Sequence, residues 1–128
     1  VAGQRLVVVE DSVVRGTTTR GKIGALREAG AKEVHLRVAS PPIRHPCYFG
    51  IDFPDQKELI ANGRSVEQIR KFLGVDSLHY LSHEGMLACV KMAPEKYCTA
   101  CFSGNYPMNV DEPVEKFALE RVQLRMFT

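Results

Sequence analysis

The chain has 128 residues, a formal net charge of +2, 45% hydrophobic and 25% charged residues, which is the size and make-up of one globular domain with room for a core. The near-neutral balance, with no Lys/Arg cluster longer than two residues, gives no footing for nucleic acid. No apolar run approaches the roughly 18 residues of a membrane span, and no signal-peptide pattern opens the chain.

The first residue is Val1 rather than Met, directly ahead of a strand, which suggests a piece of a longer or processed chain. Residues 6–9 are four consecutive apolar residues rich in β-branched side chains, the pattern of a strand buried on both faces in a parallel sheet. Residues 10–17 read as a loop. A helix is expected over about 18–29, with Thr17 or Thr18 as N-cap and Gly30 as its stop. Val34, Leu36 and Val38 alternate with His35 and Arg37 as a second strand, completing a βαβ unit with a right-handed crossover. The segment SPPIRHPCYFGIDFPD, residues 40–55, has four prolines in sixteen residues and reads as loop. Two short helices fit 55–61 and 65–73, the second opened by a capping box of Ser65 and Gln68. Residues 78–81 fit a third strand and 82–92 another helix. Residues 94–113 return to loop. The tail from Val114 has helix-forming composition but a ragged apolar stripe. The class is α/β, a parallel sheet with flanking helices.

Four cysteines stand at positions 47, 89, 98 and 101, the last two as a C-x-x-C pair. Without a secretory signal, a metal or cluster site fits them at least as well as disulfides do.

The stretch VVVEDSVVRGTTTRGK, residues 7–22, admits two phosphate readings. From Gly16 it runs to Gly21-Lys22 with the spacing of a nucleoside-triphosphate P-loop. That motif needs a Ser or Thr after the lysine to bind Mg²⁺, and here Ile23 follows. A P-loop also leads into its helix at the lysine, whereas Gly21-Lys22 falls inside the predicted helix, so this reading fails. In the other reading, Glu10 and Asp11 end a buried strand, where open α/β sheets place ligands. Two adjacent carboxylates repel each other unless a cation or several hydroxyls share their charge; a ribose diol with Mg²⁺ beside it would do so. Arg15-Gly16-Thr17-Thr18-Thr19 then enters a helix N-terminus, whose free N–H groups, dipole and hydroxyls cradle phosphate. The spacing suits one sugar phosphate. The plain alternative is an acidic pair in a solvated turn.

A hydrophobic strand, two acids, then Arg-Gly-Thr-Thr resembles the phosphoribosyl pyrophosphate (PRPP) motif of type I phosphoribosyltransferases. The form EDSVVRGTT resembles the glutamine PRPP amidotransferase family in particular, and so do SPPIRHPCYFGIDFP, ELIA, DSLHYLSHEGML and YCTACFSGNYP. Together these stretches cover roughly residues 5–107. The resemblance implies a partial type I phosphoribosyltransferase fold, with residues 1–110 as the C-terminal portion of that domain, 111–128 as a helical tail, and a glutaminase domain outside this chain. It implies transfer of glutamine-derived ammonia to C1 of PRPP, giving 5-phosphoribosylamine and pyrophosphate, the first step of de novo purine synthesis. Glu10 and Asp11 match the acids that hold the ribose and Mg²⁺, and Ser12, Arg15, Gly16, Thr17, Thr18 and Thr19 fall in the 5′-phosphate loop. The implied setting is a cytoplasmic homo-oligomer inhibited by purine nucleotides.

In the iron–sulfur branch of the family, Cys47, Cys98 and Cys101 match three of four [4Fe–4S] ligands, with the fourth upstream of Val1. Cys89 lies outside the motif and reads as a buried free thiol. Zinc on Cys98, Cys101, Cys47 and His45 is the second metal option. His79 and His83 are expected to be split by a strand–helix junction, and His83-Glu84 is no H-E-x-x-H site because position 87 is Leu. Tyr97, Phe102 and Tyr106 read as packing around the cysteines. The competing function is a regulator that keeps the fold and senses PRPP without turning it over; the cysteines inside the matching motifs favour the enzyme.

Overall fold

A computed structural model describes residues 1–51 and 55–109. Strands β1 (Arg5–Glu10), β2 (Glu33–Val38) and β3 (Ser77–Tyr80) form a parallel sheet in the order β1-β2-β3. The register places Leu6 beside Val34, Val8 beside Leu36 and Glu10 beside Val38, with Leu78 and Tyr80 next in those rows. Alternation therefore collects Leu6, Val8, Val34, Leu36, Val38 and Leu78 on one face. Helices α1 (Thr17–Glu28) and α2 (Val66–Leu73) cover that face, α1 through Ile23 and α2 through Ile69 and Leu73. Val34, Leu36, Ile23, Ile69 and Leu73 are essentially inaccessible to solvent; each such side chain stabilises the fold by about 1.5–3 kcal/mol relative to exposure.

β1 corrects the expectation of a strand buried on both faces. It lies at the edge of the sheet with an alternating pattern, Val7 and Val9 being 66% and 70% exposed. A run of valines cannot show whether its second face is covered, because that depends on remote elements. The opposite face continues as a polar row. His35 Nδ1 pairs with Ser77 Oγ at 2.9 Å, His35 Nε2 with Glu33 Oε2 at 3.0 Å, and Arg37 donates to Ser77 Oγ at 3.0 Å.

The start of α1 also differs from expectation. Its N-cap is Gly16, with φ 77° and no side-chain capping bond, rather than Thr17 or Thr18. α2 opens with the expected capping box: the Gln68 N–H donates to Ser65 Oγ at 3.2 Å and the Ser65 N–H to Gln68 Oε1 at 2.8 Å. Asp76, just ahead of β3, accepts from the Val34 N–H at 2.6 Å and from Arg27 Nη2 at 2.5 Å, tying this turn to β2 and α1. The Val34 bond first, and Arg27 after it, hold the Asp76 carboxyl below its ordinary pKa.

The helix expected over 55–61 is one 3-10 turn, Gln56–Glu58. Beyond it Leu59 is extended, and Ile60 donates its N–H to Val14 O at 2.8 Å instead of continuing a helix. α3 (His83–Ala88) is shorter than predicted, capped by Ser82 accepting from the Gly85 N–H at 2.9 Å. The stretch after it is not all loop: it holds a 3-10 turn, Pro94–Lys96, and one helical turn, α4 (Ala100–Ser103). The predicted tail helix lies outside the described residues. No described helix is long and apolar enough to cross a membrane.

Candidate functional site

Parallel strands point one way, so the ends of β1, β2 and β3 share one edge of the sheet, and Glu10 and Asp11 stand there. Glu10 sits on the core face in the row of Val38. Its side chain is only 16% exposed, and Oε1 pairs with Lys22 Nζ at 2.8 Å from the second turn of α1. A carboxylate this enclosed needs a partner, because desolvating it unpaired is costly. Lys22, the lysine of the rejected P-loop reading, lies inside α1 and serves Glu10 instead. Asp11 is exposed just past the strand, and its Oδ1 accepts from the Ser12 N–H at 2.5 Å and Ser12 Oγ at 3.2 Å. That turn starts the loop and leaves Asp11 Oδ2 without a partner among the described residues.

The loop is anchored at each step. Val13 is buried in the core, and Val14 O accepts the Ile60 N–H. Arg15 Nε donates to Glu58 Oε2 at 2.6 Å. Gly16 takes a left-handed φ of 77°, and a Cβ there would sit 2.5 Å from Ile60 Cδ1 and 3.3 Å from Leu73 Cδ2 and Phe72 Cε1. Both the backbone angle and the packing demand glycine. Arg20 N–H bonds back to Gly16 O at 2.9 Å, which leaves the N–H groups of Thr17, Thr18 and Thr19 without helical partners. No acidic residue occupies that first turn. Thr17 and Thr18 are exposed, whereas Thr19 is only 7% exposed; its side chain turns inward and its backbone N–H is what it offers the loop. One end of the sheet thus joins two carboxylates to a free helix N-terminus and an arginine, an arrangement that accepts an anion beside a group of hydroxyls.

Three further polar atoms stand near this edge; sequence did not single out Ser40 or Tyr80, and it weighed His83 only as a metal ligand and set it aside. Ser40 Oγ follows β2, Tyr80 Oη ends β3 and His83 Nε2 opens α3; all are buried without a hydrogen-bond partner among the described residues. Burial pushes the Tyr80 hydroxyl up to about 12 against the opposing charge of Arg44. The signal available in sequence was position alone: each stands at or just past the end of a strand in a parallel sheet.

The cysteines form a second region. Arg44 N–H and His45 N–H both donate to Cys101 O, at 3.0 and 3.1 Å, joining the Pro-rich loop to α4. Tyr106 Oη donates to Pro46 O at 2.8 Å, and its ring stacks at a tilt 5.1 Å from Tyr48. Burial, then Tyr48 and the thiols, push the Tyr106 hydroxyl up to about 12. Cys47 and Cys101 are half-buried and Cys98 exposed, all three as free thiols. Burial first, then the neighbouring Cys47, raises the Cys101 thiol pKa. Among the described residues no three His, Cys, Asp or Glu stand in a geometry able to hold a metal ion. Cys89 corrects the expectation of a buried thiol: it is the exposed C-cap of α3, its Sγ 3.2 Å from Gly85 O. Six residues make less than two helical turns, too short to carry position 89 back to the core.

No family model matches the chain. It is 49% identical over 119 residues to an amidophosphoribosyltransferase of Synechococcus elongatus, covering 93% of this chain and 24% of that protein. It is 53% identical over 112 residues to one of Archaeoglobus fulgidus, covering 86% and 24%. Among solved structures it resembles the glutamine PRPP amidotransferase of B. subtilis complexed with ADP and GMP, with a TM-score of 0.79 and 48% identity over 88% of this chain and 26% of that one. The chain spans about a quarter of the length of the curated relatives it matches. It is homologous to amidophosphoribosyltransferases, and its sheet and helices are a partial phosphoribosyltransferase fold.

Proposed function

We propose that this chain is the sugar-phosphate-binding part of an amidophosphoribosyltransferase, in which ammonia from glutamine displaces pyrophosphate at C1 of PRPP to give 5-phosphoribosylamine. One observation carries the reading: the loop from Glu10 to Thr19 sets two carboxylates at a strand end against a helix N-terminus with three N–H groups that have no partner among the described residues. Similarity to named enzymes across 93% of the chain supports it.

In this reading the 5′-phosphate lies on the N–H groups of Thr17, Thr18 and Thr19, with the Thr17 and Thr18 hydroxyls and Arg15 beside it. The ribose diol faces Asp11 and Glu10. No side chain attacks the sugar. The protein's work is to fix C1 in line for the incoming ammonia and to set donors where phosphate charge lies. Glu10 and Asp11 would be the protein carboxylates offered to a magnesium ion, which takes one or two of them and completes its shell with substrate phosphates and water. When bound it would neutralise the departing pyrophosphate. Lys22, at 2.8 Å, holds Glu10 in place.

The glutaminase activity, homo-oligomeric assembly, cytoplasmic setting and control by purine nucleotides belong to the same proposal; the B. subtilis structure carries ADP and GMP. A [4Fe–4S] cluster on Cys47, Cys98 and Cys101 is proposed as a structural group. The pinning of their two loops at Cys101 O supports it. The three thiols as described fall short of a complete ligand set, and no step of the reaction passes through it.

Asp11→Asn in the full-length enzyme tests the assignment. Ammonia-dependent phosphoribosylamine formation should fall about 100-fold in kcat/KM, as for loss of a charged contact to the reacting substrate, while glutamine hydrolysis stays within about twofold. Normal ammonia-dependent synthesis would reject it.

A further inference from the structure

The phosphate loop is not held by its own strand and helix alone. The segment after the 3-10 turn, Leu59-Ile60-Ala61, is fully buried and touches the loop at two places: the Ile60 N–H bonds Val14 O, and Ile60 Cδ1 fills the space beside Gly16. Glu58 is the residue immediately before this anchor. Its Oε2 receives Arg15 Nε at 2.6 Å across 43 positions of sequence. Both side chains are about half exposed, 48% and 51%, so the pair is screened by water and adds little to stability. Its geometry is more informative than its energy. A guanidinium has five N–H donors in a rigid fork, and among the described residues Arg15 uses only Nε. The Nη1 and Nη2 donors remain for an oxyanion, on a group whose plane is already set.

We propose that Glu58 is a positioning residue for the phosphate loop: its carboxylate, carried on the buried 59–61 anchor, holds Arg15 by Nε so that the two Nη groups meet the substrate phosphate pre-oriented. The inference rests on the reading of residues 10–19 as a PRPP site and assigns a task to a residue outside that motif. Without Glu58, Arg15 must lose its rotamer freedom on binding.

Calorimetry of the full-length protein with PRPP and Mg²⁺ tests it. Glu58→Ala should weaken binding about tenfold, the scale of ordering one long side chain, with an unchanged Tm because the pair is exposed. Glu58→Gln keeps an oxygen acceptor for Nε and should stay within about twofold of the parent. On an Arg15→Ala background Glu58→Ala should cost nothing more, since the two act as one unit. The proposal is overturned, with the site reading intact, if Arg15→Ala weakens binding while Glu58→Ala does not, if Gln is as damaging as Ala, or if removing the carboxylate tightens binding. If Arg15→Ala and Gly16→Val both bind PRPP like the parent, the site reading itself fails.

Discussion

The loop that follows β1 and the two loops that carry the cysteines are both irregular chain, yet they are held by different physics. The first, from Glu10 to Thr19, hangs between a strand and a helix, and its Val13 and Gly16 are pressed into the core. Its shape is a consequence of the sheet. The second joins residues 44–48 to 101–106 through two backbone bonds to Cys101 O, one tyrosine hydroxyl and a tilted aromatic pair. Few of its side chains reach the core, and Cys98 and Phe49 are exposed. A site braced by a core can hold a substrate with no other help. A site braced by a handful of polar contacts gains most from a cross-link, which is the service a cluster between the cysteines would render.

The largest effect should come from breaking the core-braced loop. Gly16→Val introduces a Cβ 2.5 Å from Ile60 Cδ1 at a positive φ, a strain of about 1–3 kcal/mol for the backbone alone. PRPP binding should be abolished by calorimetry and Tm lowered, whereas the iron content of the full-length protein should not change. Equal affinity for PRPP would place the phosphate elsewhere.

The next test acts on the other region. In full-length protein purified without oxygen, Cys47→Ser, Cys98→Ser and Cys101→Ser should each remove the iron and sulfide, about four of each per chain for a [4Fe–4S] group. Cys89→Ser should leave both in place, since Cys89 lies on the exposed end of α3. Zinc in place of iron would replace the cluster by a structural zinc site, and iron lost on Cys89→Ser would show that this cysteine is the missing ligand.

The smallest effect sharpens the contrast. Tyr106→Phe removes the bond to Pro46 O and keeps the ring against Tyr48. It should cost about 0.5–1.5 kcal/mol and speed hydrogen exchange in residues 44–48, while PRPP affinity stays unchanged. A drop in PRPP affinity would mean that the two regions are coupled.

Much of the fold is legible in the chain because its signals are local. The alternation of Val34, Leu36 and Val38, the Ser65–Gln68 capping box, the prolines of residues 40–55 and the acids after a β-branched run each report on neighbours a few residues away. The P-loop reading could be refused on the same grounds, since one residue, Ile23, lacks the hydroxyl that motif needs. Glycine at position 16 could be expected to matter, but its reason could not. It is Ile60, forty-four positions on, that closes the space beside it.

Tertiary structure alone decided the rest. The second face of β1 is open because no described element crosses it; a run of valines has the same composition whether covered or bare. The helix expected over 55–61 gave way to a single turn because Ile60 spends its N–H on Val14 O. Cys89 faces water because α3 stops at Ala88. The pairs Arg15–Glu58 and Tyr106–Pro46 join residues 43 and 60 apart. Such contacts form only after the sheet and its helices have brought the loops together, so they leave no periodicity, cap or turn residue in the sequence by which they could be foreseen.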